Sequence, residues 1–156
     1  MTLNRNGGKK MLTFTAITEN DIHELAQLFI ETFNANPWNE HWTTQTAEKR
    51  LSQMIHVESF FGLKAFDQGK LCGLILGCFE QYDNGPNFYL REFCVKNTLQ
   101  GKGIGTAILK TLEEHLIQKD VKEIYLCTAR KSTAELFYKK HHYQEDQQLC
   151  LLSKSL

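Results

Sequence analysis

The sequence predicts an α+β fold, in which helices cover both faces of a mixed, mostly antiparallel sheet of six to seven strands. Three observations support this class. Strand-like segments are separated by hairpin turn residues, and other segments carry apolar residues at helical spacing. A strand is also followed by a glycine-rich loop, a helix and a further strand, which predicts one parallel, right-handed βαβ unit.

The first half of the chain predicts one strand and two helices. The alternating segment 12–17 is typical of a strand, and Thr18-Glu-Asn-Asp21 is typical of a capping box that begins a helix. Asn34-Ala-Asn-Pro-Trp-Asn39 ends that helix. Thr43 or Thr44 is expected to cap the second helix, which carries its own apolar stripe.

The second half predicts strands and helices in alternation. Turn chemistry at Asp67-Gln-Gly-Lys70 and at Tyr82-Asp-Asn-Gly-Pro86 separates three antiparallel strands. The expected elements are strands at 59–66, 71–80 and 87–95, a helix at 104–118, a strand at 123–128, a helix at 133–141 and a closing strand at 148–153.

Composition narrows the class of protein. The chain has 156 residues, with 18 basic and 18 acidic side chains, and this balance disfavours a general nucleic-acid binder. No apolar run is long enough to cross a membrane, so we expect a cytoplasmic protein with no membrane partner. Residues 1–10 are expected to be a flexible extension, and residues 11–156 a single domain.

The five cysteines are interpreted as buried, reduced thiols, because their number is odd and each falls in a strand-like segment. A catalytic cysteine is the less favoured alternative, with Cys94 the best placed. No metal is expected, because the histidines show no ligand spacing with the cysteines, which are Cys72, Cys78, Cys94, Cys127 and Cys150.

The segment Gln100-Gly-Lys-Gly-Ile-Gly105 predicts an anion site. It lies between a strand and a helix, where glycines allow close approach and the helix start offers unpaired N–H groups. The spacing fits neither a dinucleotide fingerprint nor a nucleoside-triphosphate loop. Taken alone, the segment is also compatible with a plain strand-to-helix turn. Lys96 and Lys102 flank it and could offset phosphate charge.

Two motifs follow each other in the second half of the chain. The first is formed by Val95, Gln100, Gly101, Gly103 and Gly105, and the second by Ala134, Phe137, Tyr138, His142 and Tyr143. In this order they resemble the acetyl-CoA signature and the closing helix of the GNAT superfamily of N-acetyltransferases. The segments 37–40 and 88–92 also resemble small bacterial members of the aminoglycoside-acetyltransferase-like group.

The resemblance implies transfer of an acetyl group from acetyl-CoA to a primary amine of a small molecule or peptide, by direct attack in a ternary complex. The pantetheine arm would lie along the strand end, and the pyrophosphate on the loop amides. The implied donor-binding residues are Phe93, Cys94, Val95, Gln100, Gly101, Lys102, Gly103, Ile104, Gly105, Thr106 and Phe137.

The resemblance also assigns catalytic candidates. Tyr138 aligns with the residue that protonates the CoA thiolate, although a core tyrosine is the alternative. Strand alternation places Leu90, Glu92 and Cys94 on one face. Glu92 is a candidate general base that acts directly or through water, and a salt bridge to an arginine or a wet cleft edge is the alternative.

Acceptor recognition is assigned to Trp38, Trp42 and Glu92, and a tryptophan role in covering the core is the alternative. A homodimer is compatible with the closing strand. Two further functions remain open, a non-catalytic acyl-CoA-binding regulatory module and a nucleotide-binding protein.

One departure from the second motif affects backbone conformation. The family's glycine after the tyrosine helix is His142 here. A glycine at that place usually adopts a left-handed conformation at the helix end, which histidine tolerates less well.

Overall fold

The structure is a computed structural model of the chain, and it describes residues 12–156. These residues fall into two compact units, residues 12–126 and Cys127–Leu156. The expected extension at 1–10 lies outside the described residues. The first unit contains β1 (Leu12–Ala16), α1 (Ile22–Phe33), α2 (Thr44–Ile55), β2 (Phe60–Asp67), β3 (Lys70–Tyr82), β4 (Gly85–Val95), α3 (Ile104–Gln118) and β5 (Ile124–Tyr125). The second unit contains α4 (Thr133–Lys140).

The local signals in the sequence explain where several elements begin and end. Thr18 N–H donates to Asp21 Oδ2 at 2.8 Å, which completes the predicted capping box before α1. Thr43, one of the two expected caps, accepts from Thr46 N–H at 3.2 Å and begins α2. The β2–β3 hairpin turns at Gln68 and Gly69, which both have positive φ angles.

The sheet confirms the predicted α+β class. Its strands follow in the order β1-β2-β3-β4-β5, and the first four pair antiparallel. Strand β5 pairs parallel with β4, through Phe88 with Ile124 and Tyr89 with Tyr125. The segment from β4 through α3 to β5 is therefore the predicted βαβ unit.

Helices of the first unit cover both faces of its sheet. Helices α1 and α2 pack on the face that carries Leu74 and Leu76. Helix α3 packs on the opposite face, where Ile108 fills the space above Gly73 and His115 stacks on the ring of Phe61. The apolar core therefore forms two layers, one on each side of β3.

The strand count and the closing strand are corrected. The sheet has five strands among the described residues, and β5 has only two residues where 123–128 was expected. Residues 148–153 form no strand, and Leu149, Leu151 and Leu152 are each more than three-quarters exposed. Alternation shows which side chains a strand could bury, but a strand forms only where a neighbour pairs with its backbone.

The prediction that all five cysteines are buried is correct for only some of them. Cys72 and Cys94 are buried, and Cys78 is half-buried. Cys127 and Cys150 are exposed and lie in no strand. Their exposure follows from the short β5 and the absent closing strand, because these two segments were expected to bury Cys127 and Cys150.

Helix α4 ends in a left-handed residue, as the departure at His142 suggested. His142 has a φ of 69°, and its N–H donates to Lys139 O at 3.0 Å. Tyr143 N–H donates to Tyr138 O at 3.1 Å. These two bonds form a Schellman motif, so a histidine occupies the position where glycine is usual.

We predict that His142→Gly stabilises the protein by about 1 kcal/mol, because the left-handed conformation strains a residue with a Cβ atom. The melting temperature, measured by circular dichroism, should rise by roughly 2–4 °C. Lys140→Gly in the last turn of α4 is the matched control and should destabilise by a similar amount. A lower melting temperature for His142→Gly would show that the imidazole contributes more than the strain costs.

Candidate functional site

The glycine loop lies between β4 and α3 and is shaped by two left-handed glycines. Gly101 has a φ of 72°, and Gly103, the N-cap of α3, has a φ of 83°. A Cβ atom added at either position would meet nothing within 4 Å. The space above both residues is therefore open to a ligand, and the backbone itself forms the surface of the loop.

The first turn of α3 offers unpaired donors to that space. Gly103 has no side chain to cap the helix, and its carbonyl accepts from Ala107 N–H at 3.0 Å. The amides of Ile104 and Gly105 have no intrahelical acceptor, because they precede the first helical hydrogen bond. They lie at the positive end of the α3 dipole, where an anion is stabilised.

The polar side chains of the loop brace its own backbone. The Gln100 side-chain amide donates to Val95 O and to Asn97 Oδ1, both at 3.0 Å. Lys102 Nζ donates to Thr98 O at 2.9 Å, and Lys96 Nζ lies 3.7 Å from Glu31 Oε2. The loop therefore presents main-chain amides to a ligand, while these side chains hold its shape.

One edge of β4 is left unpaired by β5 along its second half. The β4–β5 pairing ends at Tyr89 and Tyr125, so it does not reach the six residues 90–95. Lys96 N–H donates to Cys72 O of β3. Backbone groups alternate in direction along a strand, so those of Cys94 also point at β3. The backbone groups of Phe93 and Val95 point the other way, toward the edge where β5 has ended.

A β-bulge at Arg91 shifts the alternation of β4 side chains between the two faces of the sheet. Glu92 pairs with Leu76, whereas Leu90 pairs with Gly77, so Arg91 is the extra residue. The prediction that Leu90, Glu92 and Cys94 share one face of the sheet is therefore wrong for Leu90. Glu92 and Cys94 lie on the face of α1 and α2, and Leu90 lies on the face of α3.

Gly77 is the signal in the sequence that could have indicated this bulge. A Cβ atom at Gly77 would lie 2.1 Å from Tyr89 O, so the close approach of β3 and β4 requires glycine there. A glycine inside a strand is typical of a bulge or of close backbone contact.

Glu92 pairs with Arg50 of α2, as one alternative for this residue anticipated. Arg50 Nη2 and Nε donate to Glu92 Oε1 at 2.8 and 3.1 Å. Within residues 12–156, Oε2 accepts no hydrogen bond. Burial raises the pKa of Glu92 above its ordinary value, and Arg50 opposes this rise without cancelling it. The nearby carboxylate of Glu40 raises the pKa further.

The segment after α1 places Trp38 and Trp42 against α1, on the side of the sheet that carries Glu92. Trp42 packs edge-on against Phe29 at 5.1 Å, and its Nε1 donates to Glu40 Oε2. Trp38 packs against Phe33 at 6.0 Å. Both tryptophans are half-buried, so each contributes to the core and retains an exposed edge. A shallow pocket is lined by Glu40, His41, Trp42 and Thr46.

Cys94 is inert as a nucleophile in this environment. Burial raises the pKa of its thiol to about 12, and it packs with Leu74 and Leu76 in the core. A thiol with this pKa is protonated at neutral pH, and the thiolate is the nucleophilic form. The side chain of Cys94 is therefore structural.

The second unit holds the two aromatic residues of the tyrosine helix. Tyr138 is buried on α4, and its ring packs against Phe137 and Tyr143, with both centroid distances at 5.5 Å. Its main-chain carbonyl also accepts in the Schellman motif. Tyr138 therefore packs against aromatic rings of its own unit.

The mixed sheet and the amide-rich glycine loop between β4 and α3 are the features on which sequence comparison bears. Residues 15–151 match the family described as Acetyltransferase (GNAT) domain. The chain therefore belongs to the GNAT acetyltransferase family, as the two motifs predicted, and it is an acetyltransferase. No curated protein matches the chain significantly.

Solved structures share this fold at low sequence identity. An aminoglycoside acetyltransferase from an uncultured soil metagenomic sample, in complex with sisomicin, has a TM-score of 0.71 and 17% identity, and the match covers 93% of this chain and 96% of that one. A ribosomal-protein-alanine N-acetyltransferase from Brucella melitensis biovar Abortus 2308 has a TM-score of 0.72 and 14% identity, over 92% and 99% of the two chains. A possible acetyltransferase from Clostridium difficile 630 has a TM-score of 0.78 and 12% identity, over 93% and 98%.

The part of the chain that the structure describes has neither a membrane-spanning helix nor a group of metal ligands. None of the helices within residues 12–156 is long and apolar enough to span a membrane. Over the same residues, no three His, Cys, Asp or Glu side chains are grouped to hold a metal ion.

We predict that Arg50→Met destabilises the protein by about 1–3 kcal/mol at pH 8, because the buried Glu92 charge loses its partner. The lower part of this range applies because 36% of the Arg50 side chain is exposed to screening solvent. The folded-state pKa of Glu92 is raised, so the folded state favours the protonated form. The loss should therefore be smaller at pH 5 than at pH 8.

Urea unfolding at the two pH values measures this effect. Lys49→Met, which removes the adjacent exposed charge on α2, is the control and should change the free energy of unfolding by less than about 0.5 kcal/mol. The double variant Arg50→Met, Glu92→Gln should recover most of the loss at pH 8. An equal loss at both pH values would refute the ion-pair origin.

Proposed function

We propose that the protein is an N-acetyltransferase that transfers an acetyl group from acetyl-CoA to a primary amine by direct attack in a ternary complex. The observation that carries the proposal is the second half of β4. One of its edges is unpaired by β5, it leads directly into the amide-rich glycine loop, and it carries the half-buried carboxylate of Glu92.

The donor fits this strand and loop. Its pyrophosphate is an anion that the amides of Ile104 and Gly105 and the α3 dipole would stabilise. Its pantetheine arm carries amides that can pair with the β4 backbone groups of Phe93 and Val95, which point away from β3. Three residues of strand, about 10 Å, separate Val95 from Glu92. An arm that extends along β4 from the loop therefore brings the thioester toward the carboxylate.

The proposed chemistry needs one proton acceptor and one proton donor. The amine nitrogen must be neutral to form the new C–N bond, so Glu92 takes its proton directly or through water. As the C–S bond of the thioester breaks, the nitrogen loses a second proton and the departing sulfur takes a proton from a donor, which is reprotonated by the proton that the nitrogen releases. Tyr138 is our candidate for that donor, because it aligns with the tyrosine of the second family motif and a phenol can serve as a positioned acid.

We also propose the domain extent, the location and the acceptor class of this enzyme. Residues 11–156 act as one N-acetyltransferase domain, which the family match to residues 15–151 supports. The protein works in the cytoplasm on a small-molecule or peptide amine. A homodimer is compatible with this function but is not required by it.

The deciding experiment follows thiol release from acetyl-CoA with panels of aminoglycosides, polyamines, amino acids and peptides, together with calorimetry of CoA, ATP and NAD. Turnover with an amine supports the proposal. Tight CoA binding without turnover of any acceptor would indicate a non-catalytic acyl-CoA-binding module instead. Preference for ATP or NAD over CoA would refute the donor assignment.

We predict that Gly103→Ala weakens CoA binding at least about tenfold, because a methyl group in the open space would displace the pyrophosphate from a loop amide. Gly69→Ala is a matched control. Gly69 also has a positive φ, 77°, and open space around its Cβ position, but it lies in the β2–β3 turn. Both variants should lose about 1–2 kcal/mol of stability from backbone strain, and only Gly103→Ala should lose CoA affinity in calorimetry.

We predict that kcat/KM falls as pH falls through the pKa of Glu92, which burial holds above the ordinary glutamate value of 4.5. Glu92→Gln should flatten this acidic limb and lower the rate above it. Arg50→Met should move the limb to higher pH, because Arg50 opposes the rise of that pKa. An unchanged limb in both variants would remove Glu92 from the role of base.

We predict that Tyr138→Phe lowers kcat by about 10²- to 10⁴-fold while CoA affinity is kept, because only the phenolic proton is removed. The acidic limb that Glu92 generates should persist in this variant. Tyr143→Phe, which alters the neighbouring tyrosine of the same motif, is the control. Full activity of Tyr138→Phe would identify Tyr138 as a packing residue.

A further inference from the structure

The β4 bulge brings a second charged residue to the side of the sheet that carries Glu92. Arg91 and Glu92 together oppose Leu76, and in such a bulge the two side chains project from the same face. In a regular strand, adjacent side chains would lie on opposite faces. The guanidinium of Arg91 therefore stands beside the candidate base, and its charge acts to lower the pKa of Glu92.

Arg91 is held by a stack of aromatic rings. Its guanidinium lies over the Tyr89 ring, with its carbon 5.0 Å from the ring centroid. The Tyr89 ring stacks on Tyr125, with centroids 4.7 Å apart and planes 5° apart. Tyr125 in turn donates its hydroxyl proton to Glu80 Oε2. This chain of contacts orients the guanidinium more firmly than an ordinary surface arginine.

The stack occupies the last position of the β4–β5 pairing. Tyr89 and Tyr125 are the final paired residues, and Arg91 lies just beyond them, where β4 leaves β5. Arg91 is exposed, and among residues 12–156 no carboxylate pairs with it. Its fork of N–H donors is therefore oriented on one side and available on the other.

The charges around Arg91 are mixed. Glu80 accepts from Tyr125, and Glu92 is partly neutralised by Arg50. Glu40 accepts from the Trp42 indole and lies near enough to Glu92 to raise its pKa. Carboxylates therefore stand on the side of the base, and one uncommitted guanidinium stands next to them. A zwitterion matches this arrangement better than a polycation does.

We propose that Arg91 binds the carboxylate of the acceptor, and that the acceptor is a free amino acid or another small molecule whose amine lies close to a carboxylate. The guanidinium fork receives the two carboxylate oxygens in a bidentate contact. The ammonium group then lies beside Glu92, which removes the proton before attack. The acetyl group moves from sulfur to nitrogen, and the product is an N-acetylated acid that keeps its carboxylate.

This inference rests on the proposed function for its reaction, but the carboxylate site can be tested without turnover. The kinetic test compares amino acids with the amines formed by their decarboxylation, such as phenylalanine with phenethylamine and leucine with isopentylamine. We expect kcat/KM of the wild-type protein to favour the acids by roughly 10- to 100-fold, the worth of a hydrogen bond to a charged group.

Variants of Arg91 identify the residue that is responsible. Assayed at a pH above the acidic limb that Glu92 generates, Arg91→Gln should abolish the preference by lowering kcat/KM for the acids only, through KM. Arg91→Lys should keep part of it, because it retains the charge but loses the planar fork. Lys70→Gln, which removes an exposed charge at the β2–β3 turn, should leave the preference unchanged. Equal turnover of acids and amines by the wild-type protein, or equal losses for both in Arg91→Gln, would overturn the proposal.

A binding measurement separates this inference from the proposed function. Calorimetry of N-acetylphenylalanine and N-acetylleucine, with their neutral amides as controls, requires no catalysis. We expect the acids to bind the wild-type protein roughly 10- to 100-fold more tightly than the amides, and Arg91→Gln to remove the difference. Acids that bind no better than amides would overturn the carboxylate site, even if other amines are acetylated. An absence of turnover with all amines would instead refute the reaction.

Discussion

The β-bulge of β4 is the constraint on which the candidate site depends. Gly77 allows the backbones of β3 and β4 to approach closely, and the extra residue opposite Leu76 reverses the facing of the strand. As a result Glu92 turns toward α2, where Arg50 meets it, while Leu90 turns toward α3. Without the bulge, the carboxylate would point toward the α3 face of the sheet, away from Arg50.

Two structural features, at the ends of β4 and β5, shape the side of the site where we propose that the donor binds. Strand β5 ends after two residues, which leaves the neighbouring edge of β4 unpaired by it. Gly103 begins α3 in a left-handed conformation, which places the first amides of the helix at an open surface. Both features expose main-chain groups, so the donor recognition that we propose would depend little on side-chain identity. Solved acetyltransferases share this fold at 12–17% identity.

The ion pair between Arg50 and Glu92 connects stability with chemistry. Burial disfavours the charged carboxylate and raises the pKa of Glu92, and Arg50 opposes this rise without cancelling it. A carboxylate balanced in this way can take a proton more readily than an exposed glutamate. The same arrangement makes α2 part of the site, although no residue of α2 belongs to the motifs that identify the family.

The amino-acid sequence by itself determined the α+β class, the element order as far as α4, the glycine loop and the family. These features rest on local signals, namely capping residues, hairpin turns, periodicity and glycine spacing. Tertiary structure alone decided the facing of Glu92, its pairing with Arg50, the proximity of Arg91 and the loss of the closing strand. Each depends on backbone pairing between distant segments, and side-chain alternation along one segment contains no information about where that pairing shifts or stops.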